Sequence, residues 1–536
     1  GDREAQAAID EAVESIRENG GDVRARQYEP TGRVTRLFRG FLSEHRKFAS
    51  ILRQLDGNKD NGILWQLLGR TVNEAADREA AMREQSTEAL VKILAPVMGL
   101  GLGQKVHIPS INASLTRAGR LAVALNHGNE GNRQRVRDGH GWTEGQVADI
   151  LATLSREEWT AVQAVWDHID SYWPAIVEKT KRLNGLPPEK VEADAFTITF
   201  PDGSTLALRG GYYPAKASTE LSSRAAGHDL AEQASNMMQG AYTASTTRRG
   251  HLKERAEASK QPIELSLDPL FTHVNNVTHD LAFHEWLIDA NRILRDSKID
   301  RAIRDHYPPE TLSVIKEAIK DIAVGDTATM TNTEKVLMRF RANVSAAVMG
   351  WSMTTALMQP FGLAQSIVRI GPKWVFKGLG DALMSTARLE NAMTRIGAES
   401  SFMRLRAKTF NRELNEIHGR IRAGRSTNLG GRILTGYENS LFILMQKMQL
   451  IADVPTWLGA KEKALAEGAD AETAIALADQ AVIDAQGSGM IKDLAGIQRG
   501  GSGLKILTMF YSYFNTTYNL TAESVSKRGR QLSEGQ

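Results

Sequence analysis

Six ionisable residues crowd one short stretch of the chain: His273, His279, Asp280, His284, Glu285 and Asp289. Such side chains bind divalent metals or move protons near neutral pH. If the stretch is a helix, His273, His284 and Asp280 could converge on an ion, with His279 and Glu285 as further candidate ligands. The zincin spacing, however, requires a second His four residues after His284, and that place is Ile288. Asn275, Asn276, Asp280, Glu285 and Asp289, with Arg292 and Arg295, suit instead a buried polar network that fixes helix register. That reading is preferred, so no metal and no cofactor is expected.

Other chemistry finds little support. Cysteine is absent, which excludes disulfides, zinc ribbons, iron–sulfur clusters and thiol nucleophiles. Gly99-Leu-Gly-Leu-Gly103 has the wrong spacing for a dinucleotide fingerprint and follows no strand of a βαβ unit. Gly500-Gly-Ser-Gly-Leu-Lys505 departs from a phosphate loop, because Leu504 separates Gly503 from the lysine and no Ser or Thr follows. There is no Gly-x-Ser-x-Gly elbow, kinase motif set or His-x-Glu deaminase pattern. Nothing among the 63 acids singles out a glycosidase pair. The expectation is a protein that is not an enzyme.

Charge and hydropathy say more when read locally. The net charge of +3 conceals residues 388–432, where ten Arg or Lys face four Glu. Arg404, Arg406, Lys408, Arg412, Arg420, Arg422, Arg425 and Arg432 are the candidate contacts to nucleic-acid phosphates or anionic lipid, the alternative being a solvated helix face. Before this segment, 27 residues from Ala342 to Val368 carry no formal charge. They are long enough to cross a bilayer, but Gln359-Pro360 and many Ser, Thr and Gln favour a buried helix pair broken at the proline. Residues 440–459 and 504–520 are further apolar stretches. Val344, Trp351, Leu357, Phe361, Phe510, Tyr511 and Phe514 are the candidate membrane-associating or oligomer-interface residues.

The elements that would carry these residues are mostly helices. Apolar residues recur at three- and four-residue steps through most of the 536 residues, and there are only 15 prolines. Residues 3–18 and 70–94 read as solvated helices, and Thr143 and Ser155 start two more, the second with a capping box to Glu158. A long helical segment runs from Leu267 to about Arg304, ends at Asp305-His-Tyr-Pro-Pro309 and restarts near 310. Ala464–Ala485 reads as an Ala-rich helical hairpin. The convincing β element is Phe196–Phe200 with Thr205–Leu208 around Pro201-Asp-Gly-Ser204. The region from Gly99 to Gly141 reads as loops and short helices. The fold class is therefore all-α, in several subdomains of an extended helical assembly, with one small β-hairpin near 196–209. The segments expected are 1–98, 99–190, 191–217, 218–340 and 341–536. The chain does not open on Met, which suggests processing or a piece of a longer polypeptide.

Several runs resemble a known family. Gly210-Gly-Tyr-Tyr-Pro214, Thr246-Thr-Arg-Arg-Gly-His-Leu-Lys-Glu254 and Val274-Asn-Asn-Val-Thr-His-Asp-Leu-Ala-Phe-His-Glu-Trp-Leu-Ile-Asp289 are similar to the helical region of giant internal virion proteins of tailed bacteriophages. So are Thr354-Thr-Ala-Leu-Met-Gln-Pro360, Gln486-Gly-Ser-Gly489 and Thr508-Met-Phe-Tyr-Ser-Tyr-Phe-Asn515. The resemblance covers about residues 190–520 and extends to the large polyvalent proteins that phages and mobile elements inject with their DNA. It implies an ejection protein of a short-tailed phage that leaves the virion interior and oligomerises into part of a channel or motor in the host envelope, spanning periplasm and inner membrane. The implied partners are further copies of itself, other ejection proteins, the portal or tail, phage DNA in transit and, conditionally, the host membrane. Alternatives are a capsid-internal scaffold bound to the portal, or an injected enzyme acting on host nucleic acid or cell wall. The family offers no catalytic constellation to carry onto these positions.

Overall fold

A computed structural model describes residues 2–20, 48–98, 102–215, 262–324, 361–384, 389–406 and 452–486. In chain order its helices begin with α1 (Asp2–Asn19), α2 (Phe48–Leu55) and α3 (Thr71–Met98), the last entered through a π-helical turn, Trp65–Arg70. A first ribbon, β1 (Lys105–Ile108) and β2 (Ala113–Thr116), leads into α4 (Arg117–Leu125), α5 (Glu130–His140), α6 (Glu144–Leu151), α7 (Arg156–Asp170) and α8 (Trp173–Asn184). A second ribbon, β3 (Phe196–Thr199) and β4 (Thr205–Leu208), precedes α9 (Asp268–Arg295), α10 (Ser297–His306) and α11 (Pro309–Val324). Then come α12 (Phe361–Ile370), α13 (Pro372–Met384), α14 (Leu389–Glu399), helical stretches at 401–406 and 452–466, and α15 (Ala471–Gln486). The protein is thus mostly α-helical with small antiparallel ribbons.

Local chemistry accounts for many of the boundaries. Thr143 and Ser155 each form a capping box, the Ser155 backbone amide donating to Glu158 Oε2 at 2.7 Å. At Pro201–Ser204, Gly203 takes φ +78° and Asp202 accepts from the Ser204 amide, which sets the register Phe196 opposite Leu208. The helix expected from Leu267 to about Arg304 is two helices: Asp296 adopts an extended conformation and caps α10 by accepting from the Lys298 amide. The Ala-rich hairpin turns at Gly468, φ +92°.

The ribbon β1–β2 lies inside the region read as loops and short helices. Its strands are joined by a 3₁₀ turn, Pro109–Ile111, followed by Asn112 in the left-handed conformation at φ 47°. That connection carries none of the two-residue Asn-Gly or Asp-Gly signal that marks a hairpin in sequence.

The chain divides into two compact units interleaved in sequence: Gly1–Asp77, Asp289–Ile322 and Met330–Gln536 form the first, Arg78–Ile288 and Ala323–Thr329 the second. In the first, Ile370, Val375, Ile396, Met403, Trp457 and Val482 bury one core, and Trp65 packs with Ala464, Ala474 and Leu477. In the second, Trp159, Trp166, Val162, Leu121, Leu125 and Tyr213 form a core onto which Phe196 and Ile198 of β3 pack. This is how a two-stranded ribbon, marginal alone, is held in place.

Candidate functional site

Four of the six ionisable residues singled out on α9, His279, Asp280, His284 and Glu285, meet charged partners within the second unit. Lys179 of α8 forms an ion pair with Asp280, and its Nζ also lies 3.2 Å from His284 Nδ1. Asp280 Oδ1 stands 3.4 Å from the same ring nitrogen. Arg182 grips Glu285 with two hydrogen bonds of 2.8 and 3.0 Å and holds that carboxyl below its ordinary range. His279 Nδ1 meets Glu79 Oε1 of α3 at 3.0 Å, and Glu79 accepts from Arg83 as well. His273 and His284 do share a face, but eleven residues of helix set them about 16 Å apart. His273 packs beside Tyr212 instead. Among the described residues no group of three His, Asp or Glu is arranged to hold a metal.

A second ionic cluster, within the first unit, escaped the sequence. Arg369 of α12 donates through Nε to Asp484 Oδ2 at 2.9 Å and lies within 2.9 and 3.1 Å of the two Asp60 oxygens. Arg53 of α2 pairs with Asp484 too, and Lys463 stands 3.4 Å from Asp60. Gln480 donates to Asp484 Oδ1, and Asn73 donates to Gln480, both at 2.8 Å. Arg53 and Arg369 are almost wholly buried. Burial pushes the Asp60 carboxyl up, but the guanidiniums of Arg369 and Arg53 outweigh it and hold Asp60 well below the usual carboxylate range. No sequence signal marks this cluster, because its members come from segments hundreds of residues apart.

Four residues before Asp60, Asp56 behaves oppositely. Its oxygens accept from the amides of Leu64 and Trp65 at 3.0 and 2.8 Å, capping the helical turn that leads into α3. Burial dominates and pushes this carboxyl up to about 6.

A cleft of about 170 Å³ in the first unit is lined by Glu74, Asp77, Glu399, Glu472 and Asp479, with Arg70 and Phe402. Its polar groups bind one another. Arg70 donates to Glu74 at 3.0 Å and pairs with Glu472, and Asp479 accepts from Ser400 Oγ and Trp457 Nε1, both at 2.7 Å.

Of the candidate contacts in the basic segment, Arg404 and Arg406 fall within the described residues. Arg404 is exposed, whereas Arg406 donates to Asp453 Oδ2 at 2.8 Å with its guanidinium 5.9 Å from the Phe402 ring centre. Arg406 is thus committed to packing the first unit. Lys408, Arg412, Arg420, Arg422, Arg425 and Arg432 lie outside the described residues, as do Val344, Trp351, Leu357, Phe510, Tyr511 and Phe514. Phe361 opens α12, but its side chain is likewise outside the description. Among the described residues no helix is long and apolar enough to cross a membrane.

The Asn126-His-Gly-Asn-Glu-Gly-Asn132 run, read as loop punctuation, ties sequence-distant segments of the second unit together. The Gly128 carbonyl accepts from the amides of Asp194 and Gly211, both at 3.0 Å. Asn129 and Asn132 donate to the carbonyls of Gly211 and Tyr213 at 3.1 and 2.7 Å. The Gly-Gly-Tyr-Tyr motif is therefore a docking strip for this run. A β-carbon at Gly211 would collide with Trp166.

No protein-family model matches the chain, no curated protein is similar to it, and no solved structure matches it.

Proposed function

We propose that this chain is an internal virion, or ejection, protein of a short-tailed bacteriophage that oligomerises into part of a channel or motor delivering the genome across the host envelope. The observation that carries the reading is the motif-bearing helix α9. Of the residues most able to do chemistry there, Asp280 and Glu285 are paired with Lys179 and Arg182, and His279 and His284 are engaged through Nδ1 by Glu79, Lys179 and Asp280 while their Nε2 atoms are buried without a hydrogen bond. That is the use expected of a structural element and favours assembly over catalysis. The absence of cysteine supports passage between compartments, since no disulfide can lock the chain on the way.

Flotation with liposomes of host-like composition, dye release from them and mass photometry test the proposal together. Association, leakage and a discrete higher oligomer are expected. A protein that stays monomeric and ignores the vesicles overturns it. Tracking labelled protein into infected cells separates it from the capsid scaffold, which remains in the particle.

A further inference from the structure

An asparagine followed by glycine is prone to ring closure onto the next amide, because glycine sets no side chain beside the attacking nitrogen. The sequence holds three such pairs, Asn19-Gly20, Asn61-Gly62 and Asn184-Gly185. As dipeptides they are equivalent, but the fold treats them differently.

Asn19 and Asn184 are the last residues of α1 and α8, and the glycine amide after each is engaged by its helix. Gly20 donates to the Ile16 carbonyl at 3.0 Å and Gly185 to the Lys181 carbonyl at 2.9 Å. The Asn19 side chain is also tied back, donating to the Ser15 carbonyl at 2.7 Å. Asn61, by contrast, is exposed in the turn that follows α2, and no acceptor among the described residues engages the Gly62 amide. Gln66 Nε2 donates to the Asn61 carboxamide oxygen at 3.1 Å and to its main-chain carbonyl at 3.3 Å.

We propose that Asn61 is a self-modifying site, which converts through a cyclic imide with Gly62 to isoaspartate and aspartate. The inference is independent of the genome-delivery reading.

The reaction needs water alone. The Gly62 nitrogen attacks Asn61 Cγ, and the carboxamide nitrogen leaves with the glycine proton as ammonia. Water then opens the imide ring. Cleavage at the main-chain carbonyl carbon of Asn61 gives isoaspartate, and cleavage at Cγ gives aspartate. Gln66 donates to the oxygen on which negative charge collects during the attack. At Gly20 and Gly185 the amide must first give up its hydrogen bond and the helix end must unwind, which slows the same reaction by about tenfold.

Isoaspartate lengthens the main chain by one carbon where there is no slack. Gly62 packs so closely on Asp56 that a β-carbon there would overlap the Asp56 side chain, and the Asp56 oxygens hold the Leu64 and Trp65 amides at the entry to the π-helical turn. Aspartate adds a charge next to Asp60 but keeps the spacing. The isoaspartate form is therefore the one that loosens the first unit.

Peptide mass spectrometry of the whole folded chain, aged in mildly alkaline buffer, reads the reaction. The Asn61 peptide should gain the mass of an amide-to-acid exchange at least about tenfold faster than the Asn19 and Asn184 peptides. In concentrated urea the three should age at similar rates, since the fold is what separates them. Asn61 ageing no faster than the other two in the folded chain overturns the proposal, and so does a lead of the same size that persists in urea. Gln66→Ala, an exposed substitution, should slow Asn61 a few-fold and leave the other two as they were; an unchanged or faster Asn61 overturns the role given to Gln66. Urea denaturation should find the isoaspartate form of the chain less stable than Asn61→Asp, and equal stability overturns the consequence drawn for the Asp56 cap.

Discussion

Gly378 and Gly459 mark a helix crossing that tolerates no side chain. A β-carbon on Gly378 of α13 would overlap the Pro455 carbonyl oxygen, and one on Gly459 would overlap the Trp374 carbonyl oxygen. Backbone meets backbone at both positions, so a substitution cannot be absorbed by a rotamer change. Gly378→Ala and Gly459→Ala should each destabilise the first unit by about 1–3 kcal/mol. Gly380→Ala, on the same helix with open space around it, should not. Urea denaturation of the three variants makes the comparison.

Asp56 and Asp60 should respond to acid in opposite directions. The Asp56 carboxyl is raised to about 6, so its contribution to stability is fully present below its ordinary value of 3.8 and is lost as the pH rises through 6. Lowering the pH from 7 to 4.5 should therefore strengthen the first unit, by up to about 2 kcal/mol from this group. Asp56→Asn should abolish that gain. The Asp60 carboxyl is depressed, so its contribution is present above 3.8 and is lost as acid protonates it below that value. Denaturant midpoints measured from pH 7 to 3 should show the rise and then the fall.

The buried cluster around Asp484 should punish removal of one partner more than removal of the whole set. Asp484→Asn leaves Arg53 and Arg369 without their shared carboxylate and should cost about 3–5 kcal/mol. Adding Arg53→Met to that variant should recover part of the loss, a coupling that a double-mutant cycle reads.

The α9 network should prove structural. His279→Ala and His284→Ala should each lower the stability of the second unit by about 1–2 kcal/mol, and Glu285→Ala, whose ion pair with Arg182 is largely exposed, by less than about 1 kcal/mol. Vesicle flotation and dye release at a temperature where the variants are folded should match the unaltered chain. Loss of either activity from a fully folded variant would give these residues a direct role.

What the sequence could reveal depended on how far apart the cooperating residues lie. Capping at Ser155 and the turn at Asp202-Gly203 are settled within four residues, so both are legible in the order of amino acids. The ribbon β1–β2 is equally local but turns through Pro109–Ile111 and a left-handed Asn112, a connection without a distinctive signature. Of the polar network expected on α9, Asp280 and Glu285 find partners in Lys179 and Arg182 of α8, and His279 meets Glu79 of α3, contacts that the order of residues along one helix does not name. The Arg53, Asp60, Arg369 and Asp484 cluster was invisible, because each residue alone looks like an ordinary surface charge. Likewise Arg406 reads as one arginine of a basic run until Asp453 appears beside it.

The π-helical turn Trp65–Arg70 holds one residue more than the same turn of a regular α-helix would. The surplus residue acts as a phase shifter for the helix that follows. Were all six residues of the turn wound in α geometry instead, every later side chain would rotate by about 100° about the axis. Ala75, now in the core, would give up its place to Glu74. Loss of a single codon inside the turn would instead leave a plain α-turn with the core face of α3 kept, whereas a codon lost from α3 itself would turn that face away.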